Sequence, residues 1–448
     1  MSLGSWADAA LHQYYEEVQE LHTLVGRASP LVDRLSKSAV EGAVTGEFFT
    51  LSGGMGIAGD LASAQEVAGQ VGTNGAGTAP GAASHDGEWL LPTGQIETSL
   101  RIKYKDLVAG KTNKGAYLRN LTHATDKHGE YFGERFAQII LGSSGYRFSL
   151  ADLTNMGTGV ITLLDAAGNV DATNIANFYR GQVLVASAND GTSLSHTLLP
   201  SNIAAQRAYV LSVDRDAGTL VVSDTPGSTT PEIPAGWGTV GADVSIFPLG
   251  QFKPTLPGST LTNKLLCQTL SDWITPAVAT DTFGTVDRSV DSALSGVRIP
   301  TTGPIGSLSP EHKIGFSASY MQSRFAGRKA LTYVAQSEVW FGIVRSLHAQ
   351  GLVSDIGAML TGGARSVQIA TVNGMAEIIA EPHQDPTFIY GLDLPEIMIR
   401  HLDGLPGVAN ADGLEMLRQA DSNDLEFRLI CFPQMIVREP WLHCRFAV

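Results

Sequence analysis

One stretch of this sequence has a phosphate-binding spacing: Gly54-Met55-Gly56-Ile57-Ala58-Gly59 spells G-x-G-x-x-G. In a dinucleotide site such glycines let a tight turn approach a pyrophosphate at a helix N-terminus. The pattern lies between a strand-like EFFTL and a helix-like LASAQEV, but no βαβ repeat follows and the acidic ribose partner about twenty positions on is missing. Gly110-Lys111-Thr112 ends like a nucleotide-phosphate loop, yet Lys105 stands where its leading glycine belongs. His123, Asp126 and His128 fall within two helical turns, but a spacing of five turns the two imidazoles apart, unlike the i, i+4 pair of a zinc helix. Cys267, Cys431 and Cys444 have neither CxxC spacing nor a companion His at zinc-finger distance, so they are expected to be reduced and mostly buried. Cys431, His443 and Cys444 are expected on strands, as packing residues. No Ser sits in a G-x-S-x-G elbow and no carboxylate pair stands out. The expectation is a non-enzyme without cofactor or metal.

A local charge feature remains. Arg101, Lys103, Lys105, Lys111, Lys114 and Arg119 oppose only Asp106, a balance of +5 over nineteen residues in a chain of net charge -14. Two readings stand: a solvated strand and helix start, or a patch that meets acidic neighbours or phosphates.

The elements around these residues change character along the chain. Residues 6 to 25 place Leu11, Tyr14, Val18, Leu21 and Val25 at helical steps, and Ser29-Pro30 reads as an N-cap and first-turn proline opening a short helix through Leu35. Residues 52 to 88 hold ten Gly and eight Ala with no Lys or Arg, too little apolar area for a core, so a mobile loop that orders on a neighbour is expected. The run IETSLRIKYKDLV reads as a strand. After it, Asn113 can cap a helix whose face carries Leu118, Leu121, Thr125, His128, Phe132, Phe136 and Ile139, stopping at Gly142. At 1.5 Å per residue that helix is roughly 40 Å long.

Next the period drops to two. GVITLLD, FYRGQVLVAS, QRAYVLSV, GTLVVSD and DVSIFPLG read as five strands of a small all-β module spanning 148–250, with a hairpin loop at Asp214 to Gly218. Its expected inward positions are Val160, Leu163, Val183, Val185, Val210, Leu211, Leu220, Val222, Val244 and Ile246. Mixed text follows: a helical HKIGFSASYMQSRFAGR, a strand and helix in LTYVAQSEVWFGIVRSLHAQG closing at Gly351, the strands VQIATVNGMAEIIAEP and TFIYG, and closing apolar runs expected to pair inside an earlier sheet.

Composition narrows the class. Charged residues are 17% of the chain, against roughly 25% in an ordinary domain. Much of the surface is therefore expected to be covered, and by other protein, because Gly, Pro or charge interrupts every apolar run short of the roughly 18 residues of a membrane span. The start MSLGSWADAA has no secretory pattern, so the chain is expected to stay in the cytoplasm that makes it. The acidic balance argues against tight general nucleic-acid binding but not against enclosing DNA.

The segments IKYKDLVAGKTNKGAYLRN (Ile102 to Asn120), FGTVDRSVDSALSGVR (Phe283 to Arg298) and YVAQSEVWFGIVRSL (Tyr333 to Leu347), in this element order, resemble the major capsid proteins of tailed bacteriophages. The resemblance covers nearly the whole chain and rests on arrangement and phrasing, since the family has no short invariant motif. It implies an α+β, Hong Kong 97-type fold: N-terminal arm 1–46, extended loop 47–100, peripheral strand and spine helix 101–147, inserted β domain 148–250, axial domain and remaining body 251–420, and closing strands 421–448 returning to the peripheral domain. It further implies hexamers and pentamers of this chain around double-stranded DNA, held without sequence-specific binding, in the virion head of a phage whose host cytoplasm makes the chain. Portal, scaffold and decoration proteins are its implied partners. Another self-assembling virion protein, of a tail or tube, and a nucleotide-binding enzyme using Gly54 to Gly59 are the competing classes.

Overall fold

A computed structural model describes residues 29–51, 85–104, 114–141, 149–249, 267–349, 366–408, 416–418 and 424–448, with short gaps inside some of these ranges. The helix expected at 6–25, the cap Asn113, both glycine-rich motifs and the closing Gly351 lie outside them. The fold is α+β.

Ser29 caps helix α1 (Pro30–Arg34) by accepting the Val32 N–H, with Pro30 in the first turn, as its sequence expects. Leu31, Val32 and Leu35 are buried in the largest core cluster, and strand β1 (Ser36–Ala39) pairs in parallel with a strand more than 350 residues later. Strands β2 (Val44–Leu51) and β3 (His85–Pro92) form an eight-pair antiparallel hairpin, so the expected loop of 52–88 is corrected at its end, where residues 85–88 are strand. Strand β4 (Ile96–Ile102) leads to helix α2 (Lys114–Leu141), 28 residues long, which buries His128, Phe132, Phe136, Ile139 and Ile140. These positions recur at three- and four-residue steps, the stripe of an amphipathic helix.

Residues 149–248 carry β5 (Ser149–Asp152), β6 (Val160–Leu164), β7 (Val183–Ser187), β8 (Ala208–Asp214), β9 (Thr219–Ser223) and β10 (Asp243–Pro248). All pairings are antiparallel, and because β10 pairs with both β5 and β7 the sheet closes into a ring, β10-β5-β6-β9-β8-β7. Closure removes the ring's open edges. A two-residue strand, Leu198–Leu199, adds to β7. The turn into β6 needs glycine: Gly159 has φ +67°, and a Cβ there would lie 2.5 Å from the backbone of Pro231 and Glu232. The Asp214 carboxylate accepts the N–H groups of Asp216 and Ala217, shaping the expected hairpin loop.

The ring has its own core, in which Leu163, Val210, Leu220, Val222, Val244 and Ile246 point inward as expected. Four expected positions are corrected. Ile161 replaces Val160, Leu184 and Ala186 replace Val183 and Val185, and Val210 fills the site with Leu211 turned away. A one-residue error in phase sends a whole strand to the other face. Strand β5 and the fillers Phe178, Ile233 and Trp237 came without a period-two signal.

The rest of the described chain contributes to four sheets, of six, four, three and two strands. Short helix α3 (Leu270–Trp273) is closed by a capping box between Thr269 and Asp272. After β11 (Val297–Arg298) come helix α4 (Pro310–Phe325), β12 (Thr332–Ala335) and helix α5 (Ser337–Ala349), then β13 (Ser366–Thr371), β14 (Gly374–Ala380), β15 (Phe388–Leu392) and β16 (Ile397–His401). The chain ends with β17 (Leu425–Cys431), β18 (Pro433–Val437) and β19 (Cys444–Ala447). The six-stranded sheet runs β11-β19-β15-β12-β14-β13, and α5 lays Trp340, Ile343, Val344 and Leu347 into its core cluster. The closing segment divides: β17 pairs with β4, β18 with β16, and β19 lies inside the six-stranded sheet between β11 and β15. His443, expected on a strand, instead ends the 3-10 turn before β19, fully buried, where its Nδ1 accepts the Asp393 N–H.

Candidate functional site

Polar groups converge where the β2–β3 hairpin enters the body. The Glu47 carboxylate on β2 pairs with Arg400 of β16 through Oε2, and with Nε of Arg438, just past β18, at 2.7 Å through Oε1. Its side chain is only 12% exposed, so the cost of desolvating the carboxylate is met by two guanidiniums at once. Arg400 also reaches the Gly46 carbonyl at 3.5 Å. On β3, the Gln434 side-chain amide donates to the Leu91 carbonyl, the Leu90 N–H donates to the Gly284 carbonyl, and Thr285 Oγ1 donates to the Glu88 carbonyl.

The turn supplying those last two contacts is strained. Thr285 holds φ +74°, and a Cβ on Gly284 would come within 2.8 Å of the Leu91 side chain. Beneath it Trp89 is fully buried, packed edge-on against Trp273 and Phe283. The hairpin root is thus fixed by ion pairs, main-chain hydrogen bonds and aromatic packing.

A second anchor ties the start of the described chain to the far sheet. The fully buried Glu381 takes the Ser29 hydroxyl at 2.6 Å and the Leu31 N–H at 3.2 Å. Arg34 pairs with Glu377, which holds that carboxyl below the usual range.

The basic candidates are partly visible. Arg101 lies in β4 opposite Glu426, and Lys103 is exposed just beyond the strand. Lys114 and Arg119 lie in the first turns of α2, while Lys105 and Lys111 fall outside the described residues. All three cysteines are buried and none forms a disulfide, and burial pushes the Cys267 and Cys444 thiols up to about 12, which disfavours the reactive thiolate. Among the described residues no group of three His, Cys, Asp or Glu is placed to hold a metal ion, and no helix is long and apolar enough to cross a membrane. Sequence reading missed the Glu47–Arg400–Arg438 cluster, in which Glu47 stands more than 350 residues from both arginines and no local signal marks the pairing.

No protein-family model matches the chain, and no curated protein is similar to it in sequence. Similar solved structures come from phage capsids, GTA particle capsids and a virus-like particle from Pyrococcus furiosus. A subunit of the cyanophage A-1(L) capsid is 10% identical over 95% of this chain and 92% of that one, with a TM-score of 0.45. One from the satellite phage P4 procapsid, which includes a size determination protein, is 11% identical over 96% and 90%, with a TM-score of 0.37. One from the capsid of an empty GTA particle is 11% identical over 94% and 96%, with a TM-score of 0.33.

Proposed function

We propose that this chain is the major capsid protein of a tailed bacteriophage and assembles as hexamers and pentamers into the head shell around double-stranded DNA. The supporting observation is the hairpin root. Glu47, Arg400, Arg438 and Trp89 fix β2 and β3 in the body, so that a load on the lysine-free segment between Leu51 and His85 passes into the core. A subunit whose perimeter is covered by copies of itself needs few surface charges, as the 17% charged content indicates.

On this reading the fold is of the Hong Kong 97 type. Residues 1–46 are the arm, 47–100 the extended loop, α2 the spine helix within 101–147, 148–250 an inserted β domain, 251–420 the axial domain and remaining body, and 421–448 the closing strands. Arg101, Lys103, Lys105, Lys111, Lys114 and Arg119 form a patch toward acidic neighbours or packaged DNA. The role is structural rather than enzymatic, its place is the virion, and portal, scaffold and decoration proteins are its further partners. Electron microscopy of the purified chain tests this. Rings or shells with six-fold and five-fold clusters are expected; tubes of a single symmetry would favour a tail protein, and a persistent monomer at every salt and concentration would refute assembly.

A further inference from the structure

The β ring differs in charge from the rest of the chain. Residues 148–250 hold nine Asp and Glu against three Arg and no Lys, a balance of -6 that is nearly half of the chain's net -14. The topology decides where those charges stand. The chain enters the ring at Ser149 of β5 and leaves it at Pro248 of β10, which makes that end the base. Because every neighbouring pair is antiparallel, β5, β7 and β9 run away from the base, and β6, β8 and β10 return to it. The far end is therefore built by the β5–β6, β7–β8 and β9–β10 connections. Asp152 closes β5, Asp224 follows β9, Glu232 lies in the β9–β10 connection with its N–H on the Val222 carbonyl, and Asp243 opens β10. Asp224, Glu232 and Asp243 are exposed, and Asp152 is half-buried.

These four carboxylates have no counter-ion among the described residues. Asp152 and Asp243 are direct cross-strand partners, a like-charge pair that repels. Asp152 accepts the N–H and hydroxyl of Thr154 at 2.8 and 2.6 Å, and Asp224 accepts the Thr225 hydroxyl at 2.9 Å. None of the four forms an ion pair with a described residue, and Arg207, just before β8, is the only cation described at this end. Carboxylates spread along a rim match spread basic side chains better than a metal ion, for which no three described His, Cys, Asp or Glu side chains converge.

The same chain carries such a basic set. Arg101, Lys103, Lys105, Lys111, Lys114 and Arg119 oppose Asp106 alone, and the exposed Lys103 forms no ion pair with a described residue. The base of the ring shares a cleft with residues 128–139 of α2. Lys114 lies about 20 Å back along the helix from there, more than two screening lengths of about 8 Å, and the acidic end is the one opposite that base. The two patches are thus spaced to meet between copies. Such a contact of unlike surfaces is heterologous, and repeated about an axis it closes into a ring of subunits. We propose that the far end of the β ring, through Asp152, Asp224, Glu232 and Asp243, docks on the basic stretch Arg101 to Arg119 of a neighbouring copy. This rests on the assembly reading and names the acidic neighbour which that reading leaves open.

Charge reversal in the full chain tests it, read by sedimentation velocity and electron microscopy under conditions where the parent assembles. Asp224→Lys with Asp243→Lys, and separately Lys103→Glu with Lys114→Glu, should each cut particle yield about tenfold, since like charges then face each other across the contact. Mixed in equal amounts, the two variants should regain assembly, because each now offers the charge the other needs. A chain carrying all four changes should regain it alone. Thermal melts check the folding of each variant, and the milder Asp224→Asn with Asp243→Asn should lower the yield in the same direction. Recovery by the four-change chain but not by the mixture would place the contact within one copy and overturn the proposal. So would unchanged yields, or a loss confined to the Lys103 and Lys114 variant, which would assign the stretch to DNA phosphates. A parent that never associates would refute the assembly reading itself, and the docking with it.

Discussion

Trp89 of β3 and Trp273 of α3 meet edge to face with ring centroids 5.0 Å apart and planes at 76°. Both are fully buried, and the Trp273 indole N–H donates to the Met435 carbonyl at 3.2 Å. One contact thus joins the hairpin root, the capped helix and β18. Replacing Trp89 with Ala is expected to destabilise the chain by about 3–5 kcal/mol through lost burial and a cavity. A denaturant midpoint unchanged from the parent would show that the hairpin root does not share the main core.

Glu47→Gln should be costlier than its conservative size suggests, because it leaves Arg400 and Arg438 without their shared carboxylate. Breaking a well-buried pair costs about 3–5 kcal/mol, and the 43% exposure of Arg438 reduces this toward about 2. In assembly assays Glu47→Gln should yield fewer particles, while Lys127→Gln, at an exposed helical pair with Glu130, should match the parent. Equal yields from both variants would remove the hairpin root from the assembly reading.

Some shells of the resembled family lock subunits through an isopeptide bond from a loop lysine. Between Lys37 and Lys103 this chain has no lysine. Denaturing gels of assembled particles should therefore give a monomer band at 47.4 kDa or slightly below. A ladder whose crosslinks map to residues 47–102 would contradict this.

Burial pushes His383 down to about 4 and holds His128 below its usual range. Unfolded chains take up these protons near pH 6.5, before the folded chain does. Stability from both groups is therefore fully present above about pH 6.5 and declines below it, for His383 until the pH reaches about 4. Thermal melts should drop by several degrees between pH 7 and pH 5, with a smaller drop in His383→Gln. An identical pH slope in that variant would assign the acid sensitivity elsewhere.

The ring of β5–β10 has its own core and pairs with no strand outside residues 149–248 among those described. Residues 148–250 expressed alone should give a β-type circular dichroism spectrum and a cooperative melt, and Leu220→Ala should lower that stability by about 2–5 kcal/mol. A disordered fragment would place the ring's stability in its contacts with the body.

Periodicity and local chemistry determined much of this protein in advance. The Ser29-Pro30 start of α1, the long stripe of α2, the Asp214 turn and the strand-helix pair β12–α5 all follow from side chains within a few residues of one another, where capping and amphipathic spacing act. The change of period after α2 likewise located the β ring. The phase of individual strands was decided only in three dimensions, because Val160 and Ile161, or Val183 and Leu184, are alike in hydrophobicity and only closure of the ring chooses the face. Tertiary structure alone also brought Glu47 to Arg400 and Arg438, and Ser29 to Glu381. Such long-range pairs leave no periodic trace in the sequence, since each forms only after separate elements have packed.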